Sequence, residues 1–194
     1  NPELVINFYN ERRKQLLDVV PNAGHLGVAD LERDFNVTVV TQNVDNLHER
    51  AGSTHVIHLH GELTKVCSSR DPYNPHFVKE LAPEEYEVKL GDKAGDGTQL
   101  RPFIVWFGES VPEIETAIRY VEQADIFVII GTSLNVYPAA GLLNYVPRAA
   151  EVYLIDPKPV DTHVMRPIHV IQKGASEGVK ELKALLTVTQ PPLP

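Results

Sequence analysis

The chain has a single cysteine, Cys67, among its 194 residues, so no disulfide can form within it. Such scarcity is typical of proteins from reducing compartments, and we expect a cytoplasmic location. No apolar run approaches the roughly 20 residues that span a bilayer. No cationic segment followed by an apolar one opens the chain. We therefore expect no membrane partner.

Positive charge is also scarce. The chain has 18 Lys and Arg but 26 Asp and Glu, which gives a formal net charge of -8. Nucleic-acid binding requires a basic face, so we expect no nucleic-acid partner. The length suits one domain or one domain with an insertion, and we expect a monomer. The chain starts at Asn1 rather than Met, and we expect the natural protein to have residues before it.

Strand and helix patterns alternate along most of the chain. The β-branched run at residues 37–40 predicts a buried strand, and the apolar run at 126–130 predicts a strand of a parallel sheet. This βαβ rhythm predicts an α/β fold, in which a parallel sheet has helices on both faces. We expect further extended segments at residues 55–59, 103–107 and 152–155. Helices are expected at residues 1–17 and 176–186, and three more are expected to begin at residue 22, after a capping box at 110–113 and at about residue 138.

The alternating pattern decays between residues 63 and 100, where prolines stand at positions 72, 75 and 83. Such a segment predicts a small irregular subdomain inserted between two strands of the sheet. The predicted division is a catalytic domain of residues 1–62 and 101–189, with residues 63–100 as the subdomain.

Polar loops follow three of the predicted strands, at residues 41–45, 131–133 and 156–158. Ligands of open α/β sheets bind outside the carboxyl ends of the strands. Gly131, Thr132 and Ser133 could offer amides and hydroxyls to a phosphate or ribose, or could form an ordinary helix cap.

Three histidines, His55, His58 and His60, cluster in and after one predicted strand. His58 and His60 have a spacing that could bind zinc, but Gly61 and Glu62 complete no known metal motif. They could equally be surface residues of a half-exposed strand. A histidine beside a glycine turn and near a ribose site is also suited to general-base catalysis.

The run TQNVDNLHERAG at residues 41–52, followed by HLHGEL at 58–63, resembles the core signature of the sirtuins, the NAD-dependent protein-lysine deacylases. The resemblance extends from Asn1 to about Lys180 and implies a Rossmann-like NAD-binding domain. It implies that His60 is the catalytic base, with NAD as co-substrate and acylated-lysine proteins or peptides as partners. The implied reaction removes acetyl, succinyl or malonyl groups from protein lysines, and its products would be nicotinamide, O-acyl-ADP-ribose and free lysine. The cofactor-binding residues that it implies are Gln42, Asn43, Val44, Asp45, Gly131, Thr132, Ser133, Asp156 and Ala175.

The resemblance also implies where the substrate lies. The segment VWFGE is expected to be a strand that pairs with the substrate backbone, and VYPAA at residues 136–140 is expected to face it. FYNERR at residues 8–13 is similar to an element of the sirtuin subclass that removes succinyl and malonyl groups. There, Tyr9 and Arg12 would hold the distal carboxylate, although on helical spacing alone they could be a surface pair. The substrate-binding residues implied are Tyr9, Arg12, Val105, Trp106, Phe107, Gly108, Glu109, Val136 and Tyr137.

Two departures from the family pattern stand out. Sirtuins commonly hold a structural zinc with four cysteines, which a chain with one cysteine cannot do, so we expect no metal. The Gly-rich pyrophosphate-binding element is absent, and we expect it upstream of Asn1. Two alternative functions stay open: a metal-dependent hydrolase that uses His55, His58 and His60, and a non-catalytic module that binds acyl-lysine or a nucleotide.

Overall fold

A computed structural model describes residues 1–132, 139–159 and 166–189 of the chain. The chain forms two compact units. One contains Asn1–Val20, Val40–Leu47 and His58–Pro112, and the other contains Pro21–Val39, His48–Ile57 and Glu113–Pro194. The sequence-based division at residues 62 and 101 stays a prediction. Within the described ranges, no helix is both long and apolar enough to cross a membrane.

The second unit contains a three-stranded parallel sheet, as the sequence predicted. β6 (Ile126–Ile130) pairs with β7 (Glu151–Ile155), which pairs with β8 (His169–Ile171). Tyr153 and Ile155 of β7 pack in one core cluster with residues of α2 (Ala23–Leu31) and α5 (Ala175–Thr189). The alternate residues Val152 and Leu154 are also buried and point to the opposite face. Both faces of the strand are therefore covered.

Helix boundaries in this unit follow from local capping. Asn22 caps α2 by accepting hydrogen bonds from the backbone of Gly24 and His25. The predicted capping box at Ser110 is wrong, because α4 (Ile114–Val121) begins after Glu113 without a side-chain cap. The predicted helix from about residue 138 is a 3-10 helix, Ala139–Tyr145. The unit also contains the short helix α3, Leu47–Ala51, which was not predicted and whose first residue belongs to the other unit.

The first unit is built around a three-stranded antiparallel sheet. β3 (Gly61–Ser68) lies between β4 (Lys79–Glu80) and β5 (Leu100–Ile104). The small irregular subdomain predicted at residues 63–100 contains most of β3 and all of β4, so the prediction is wrong for these two strands. A register shift between Gly61 and Val66 breaks the alternation by which a strand is detected in sequence. Helix α1 (Pro2–Asp18) and the 3-10 turns Pro75–Phe77 and Pro83–Glu85 complete this unit.

A separate two-stranded sheet pairs β1 (Val39–Thr41) with β2 (Val56–His58). Both are shorter than the predicted runs at residues 37–40 and 55–59. Val37 and Val39 still pack against the core cluster of the second unit, which explains the β-branched composition that marked this segment. The residues predicted to bind the cofactor follow β1, and the predicted catalytic base follows β2.

Candidate functional site

The loop after β1 is held by the segment after β2 through four successive backbone carbonyls. The carbonyl of Thr41 accepts from Leu59 N at 2.9 Å, and that of Val44 accepts from Leu63 N at 2.7 Å. Between them, the carbonyls of Gln42 and Asn43 contact histidine rings, with Nδ1 of His60 at 3.2 Å and Nδ1 of His58 at 3.1 Å. These contacts therefore join the loop that is predicted to bind the ribose to the segment that contains the predicted base.

This arrangement determines which nitrogen of His60 can act as a base. A backbone carbonyl only accepts, so Nδ1 of His60 must carry its proton in order to bond to Gln42. The lone pair of the neutral ring then lies on Nε2. His60 is half-buried, and its own carbonyl accepts from Val105 N at 3.0 Å. The ring is thus oriented from one side and its basic nitrogen is left for a substrate.

Gly61 allows His60 to lie close to the neighbouring strand. Its φ is 82°, and a Cβ at this position would lie 2.1 Å from the carbonyl oxygen of Phe103. A side chain here would strain the left-handed backbone and would also collide with that carbonyl. The HG dipeptide is therefore a consequence of the packing of β3 against β5 directly beside the histidine.

The polar side chains of the loop have different local roles. Asn43 is exposed, and its backbone N donates to Thr41 Oγ1 at 3.0 Å. One carboxylate oxygen of Asp45 accepts from Leu47 N at 3.1 Å, so Asp45 caps the start of α3. The structure thus brings Gln42, Asn43, Val44, Asp45 and His60 together in the first unit.

The other predicted cofactor-binding residues within the described ranges belong to the second unit. Gly131 follows β6, and its N donates to Ile155 O at 2.9 Å, so the carboxyl ends of β6 and β7 are adjacent. Among the residues that the structure describes, none lies within 4 Å of a Cβ built at Gly131, whose φ is 61°. Asp156 follows β7 and accepts from Lys158 N at 2.8 Å. Thr132 follows Gly131, Ala175 begins α5, and Ser133 lies outside the described residues.

Residues 105–109 do not form the predicted strand, and their role as substrate contacts stays a prediction. β5 ends at Ile104, and residues 106–109 form a turn in which Glu109 N donates to Trp106 O at 3.0 Å. Gly108 has φ 90°, a conformation that ends an extended strand. Phe107 is fully exposed at the tip of this turn. Val136 and Tyr137, which were predicted to face this segment, lie outside the described residues.

Tyr9 and Arg12 differ in their surroundings. Tyr9 is half-buried, and its hydroxyl accepts from Trp106 Nε1 at 2.9 Å. Arg12 is exposed, where it donates to Gln15 Oε1 at 3.0 Å and lies 5.0 Å from the centre of the Phe8 ring. The buried arginine of the FYNERR element is Arg13, which is 4% exposed. Burial lowers the pKa of its guanidinium to about 10, although it stays protonated near pH 7.

The three histidines of the metal alternative have separate partners. Nδ1 of His55 lies 2.9 Å from Thr38 Oγ1, and its ring packs edge-on against Tyr120. His58 and His60 each contact a different carbonyl through Nδ1. Each ring is therefore oriented by its own neighbours.

Comparison with known proteins shows the family of the chain. Residues 1–138 match the model of the Sir2 family. The chain belongs to the Sir2 family. It is 83% identical over 186 residues to an NAD-dependent protein deacylase of Bacteroides thetaiotaomicron, across 96% of this chain and 80% of that protein.

Solved structures of Sir2 proteins share the fold. A Sir2 homolog–NAD complex is 36% identical with a TM-score of 0.82, across 97% of this chain and 73% of that one. A Sir2–p53 peptide–NAD+ structure is 27% identical with a TM-score of 0.71, across 90% of this chain and 74% of that one. The Rossmann-like α/β class expected for the Sir2 chain from its sequence is confirmed.

Sequence reasoning missed Arg101, which lies beside the predicted substrate segment. It forms an ion pair with Glu109, and this pair lowers the pKa of the Glu109 carboxyl, chiefly through their hydrogen bonds. The available signal was a lone Arg in β5 eight residues before an acid, with a glycine between them.

Proposed function

We propose that this Sir2 protein is an NAD-dependent protein-lysine deacylase with His60 as its general base. The observation that carries the proposal is the contact between His60 Nδ1 and the carbonyl of Gln42. It leaves Nε2 as the basic nitrogen and ties the base to the loop of Gln42, Asn43 and Asp45. The deacylase name of the 83% identical relative supports the same reaction class.

The site residues of the first unit have two roles in this proposal, which are cofactor binding and proton transfer. Gln42, Asn43, Val44 and Asp45 bind and orient the nicotinamide and its ribose, through a backbone that four hydrogen bonds keep in one conformation. His60 Nε2 accepts a ribose hydroxyl proton. Bound NAD supplies the sugar carbon that takes the acyl oxygen as nicotinamide leaves. Gly131, Thr132, Ser133, Asp156 and Ala175 stay predicted cofactor contacts.

We also propose that the preferred acyl groups are acidic, namely succinyl and malonyl. The hydroxyl of Tyr9 accepts from Trp106, so its own O–H can donate to a carboxylate. Arg12 is exposed, and an arginine side chain can exchange its weak contact with Gln15 for a bidentate carboxylate. The turn at Val105–Glu109 supplies further substrate contacts, and Val136 and Tyr137 stay predicted ones.

The test is product analysis on one peptide sequence with acetyl-, succinyl- or malonyl-lysine, with and without NAD. We expect nicotinamide and O-acyl-ADP-ribose in equal amounts, and faster turnover of the two acidic acyl groups. Mass spectrometry identifies both products. Deacylation without NAD would instead support the metal-dependent hydrolase, and tight peptide binding without nicotinamide release would support the non-catalytic module.

A further inference from the structure

The turn after β5 is organised by one bidentate ion pair. Arg101 donates from Nη1 to Glu109 Oε1 at 2.7 Å and from Nη2 to Glu109 Oε2 at 3.0 Å. Nη2 also donates to the carbonyl of Ile104 at 2.7 Å, at the last residue of the strand. A guanidinium fork matched to a carboxylate fixes both distance and direction. The pair therefore sets the course of the chain from Ile104 to Glu109.

The same pair holds the indole of Trp106. The guanidinium carbon of Arg101 lies 3.6 Å from the centre of the indole ring, within range of a cation–π contact. The backbone N of Trp106 donates to Glu109 Oε2 at 2.8 Å. Both the backbone and the ring plane of Trp106 are thus determined by Arg101 and Glu109.

The indole in turn orients the hydroxyl of Tyr9, because its Nε1–H donates to that oxygen at 2.9 Å. Indole nitrogen is a donor only, so the phenolic oxygen is the acceptor and its O–H must point elsewhere. The contacts described for Tyr9 include no acceptor for that proton. It is available to an acyl carboxylate.

The backbone of Tyr9 is held by its neighbours in α1. Arg13 Nε donates to the carbonyl of Leu63 at 3.0 Å, and Arg13 Nη1 donates to Asn10 Oδ1 at 3.0 Å. Asn10 also exchanges two hydrogen bonds with the backbone of Val88, at 2.8 and 3.0 Å. Because the helix is held there, Trp106 has only to set the direction of the Tyr9 side chain.

We propose that Arg101 is a positioning residue for acyl selectivity, which acts through Trp106 to aim the Tyr9 hydroxyl at the distal carboxylate of an acidic acyl-lysine. This inference rests on the proposed function and extends its specificity to a residue outside the predicted site. Arg101 itself contacts Glu109, Trp106 and main-chain carbonyls, so its effect on substrate is indirect.

The first test is Arg101→Lys in the purified protein, since lysine keeps the charge but loses the fork and the planar stacking. We expect the KM for succinyl-peptide to rise roughly fivefold to tenfold, the effect of one misdirected hydrogen bond. The ratio of desuccinylation to deacetylation should fall by a similar factor, because an acetyl group has no carboxylate for Tyr9 to meet and any disturbance of the turn at residues 105–109 affects both peptides alike. Arg70→Lys, an exposed arginine of the same unit, is the matched control.

The chain offers a direct spectroscopic reporter, because Trp106 is its only tryptophan. Arg101→Lys should shift or quench the intrinsic emission, and Arg70→Lys should not. If Arg101→Lys fails to fold, Trp106→Phe replaces it, since phenylalanine keeps a ring beside Arg101 and removes only the donor to Tyr9. That variant should show the same fall in the ratio of desuccinylation to deacetylation.

A double-mutant cycle with Tyr9→Phe decides whether the effect passes through Tyr9. We expect Arg101→Lys to cause no further loss of succinyl selectivity once Tyr9 is phenylalanine. Additive losses, or equal losses on both peptides, overturn the positioning role. A parent protein that deacetylates but does not desuccinylate also overturns it while the deacylase function stands. No nicotinamide release with any acyl-peptide refutes the proposed function itself.

Discussion

The two ring nitrogens of His60 are assigned different roles by a single contact. Since Nδ1 donates to Gln42, a change at this residue removes the base without opening a core, because the ring is only half-buried. We predict that His60→Ala lowers deacylation at least about 100-fold, the usual contribution of a general base. The melting temperature should change little. His76→Ala, an exposed histidine in the same unit, is the control, and activity of His60→Ala within a few-fold of the parent would contradict the assignment.

Arg12 is the residue on which the acidic-acyl proposal is most directly tested. We predict that Arg12→Met lowers kcat/KM for succinyl-peptide by roughly 30-fold, equivalent to about 2 kcal/mol for a charge-assisted hydrogen bond. The ratio of desuccinylation to deacetylation should fall with it, mainly through KM. Gln15→Met removes the present partner of Arg12 and is the matched control. An unchanged ratio would mean that Arg12 is only a surface residue.

At the scale of elements, the junction of β3 and β5 depends on Gly61. We predict that Gly61→Ala lowers the free energy of unfolding by about 3 kcal/mol or more, because left-handed strain adds to a collision with the Phe103 carbonyl. Gly97→Ala is the matched control, since its φ of 79° is nearly the same but no described residue lies within 4 Å of the added Cβ. It should cost only about 1–2 kcal/mol. Equal costs in urea unfolding would show that the close approach of the strands contributes nothing.

The segment between β4 and β5 is stabilised by Asp96. Ser68 Oγ donates to Asp96 Oδ2 at 2.7 Å, and Thr98 donates to Oδ1 from its hydroxyl at 2.7 Å and from its backbone at 3.0 Å. These hydrogen bonds lower the pKa of the Asp96 carboxyl from 3.8 to about 2, and the bond from Ser68 has the largest effect. The lowered pKa means that the ionised carboxylate stabilises the fold above pH 3.8, and that this contribution is lost as the pH falls through about 2.

We predict that Asp96→Asn lowers the melting temperature near pH 7, because an amide has one oxygen acceptor for a carboxylate's two. The difference between parent and variant should shrink as the pH falls from 3.8 to about 2. Thermal melts across this range measure it, with the exposed Asp34→Asn as control. A difference that is independent of pH would show that the charge of Asp96 is not the stabilising feature.

At the scale of the whole molecule, we predict that no structural metal is needed for stability. Cys67 is fully buried, and burial raises the pKa of its thiol to about 11, so it is held as a neutral thiol rather than as a metal-binding thiolate. A chelator should leave the melting temperature unchanged. A large decrease on chelation, with about one zinc per chain by elemental analysis, would contradict this.

Much of the candidate site could be predicted from the order of residues that are close together in the sequence. The run from Thr41 to Asp45 and the dipeptide of His60 and Gly61 were identified from sequence, because the end of a buried strand and a glycine with positive φ leave local composition signals. The neighbouring β3 was missed because its register shift removes the alternation. The strand that the family resemblance implied at Val105–Glu109 was not found, because these residues form a turn with Phe107 exposed at its tip.

The sequence by itself determined the Sir2 family, the α/β class and the identity of the candidate base, since each depends on residues close together in the chain. The tertiary structure alone decided which arginine of the FYNERR element is buried and which atoms orient His60. It also revealed the contact of Trp106 with Tyr9, which joins residues 97 positions apart. Such contacts depend on how a helix and a turn pack across the unit, and local propensity carries no record of that packing.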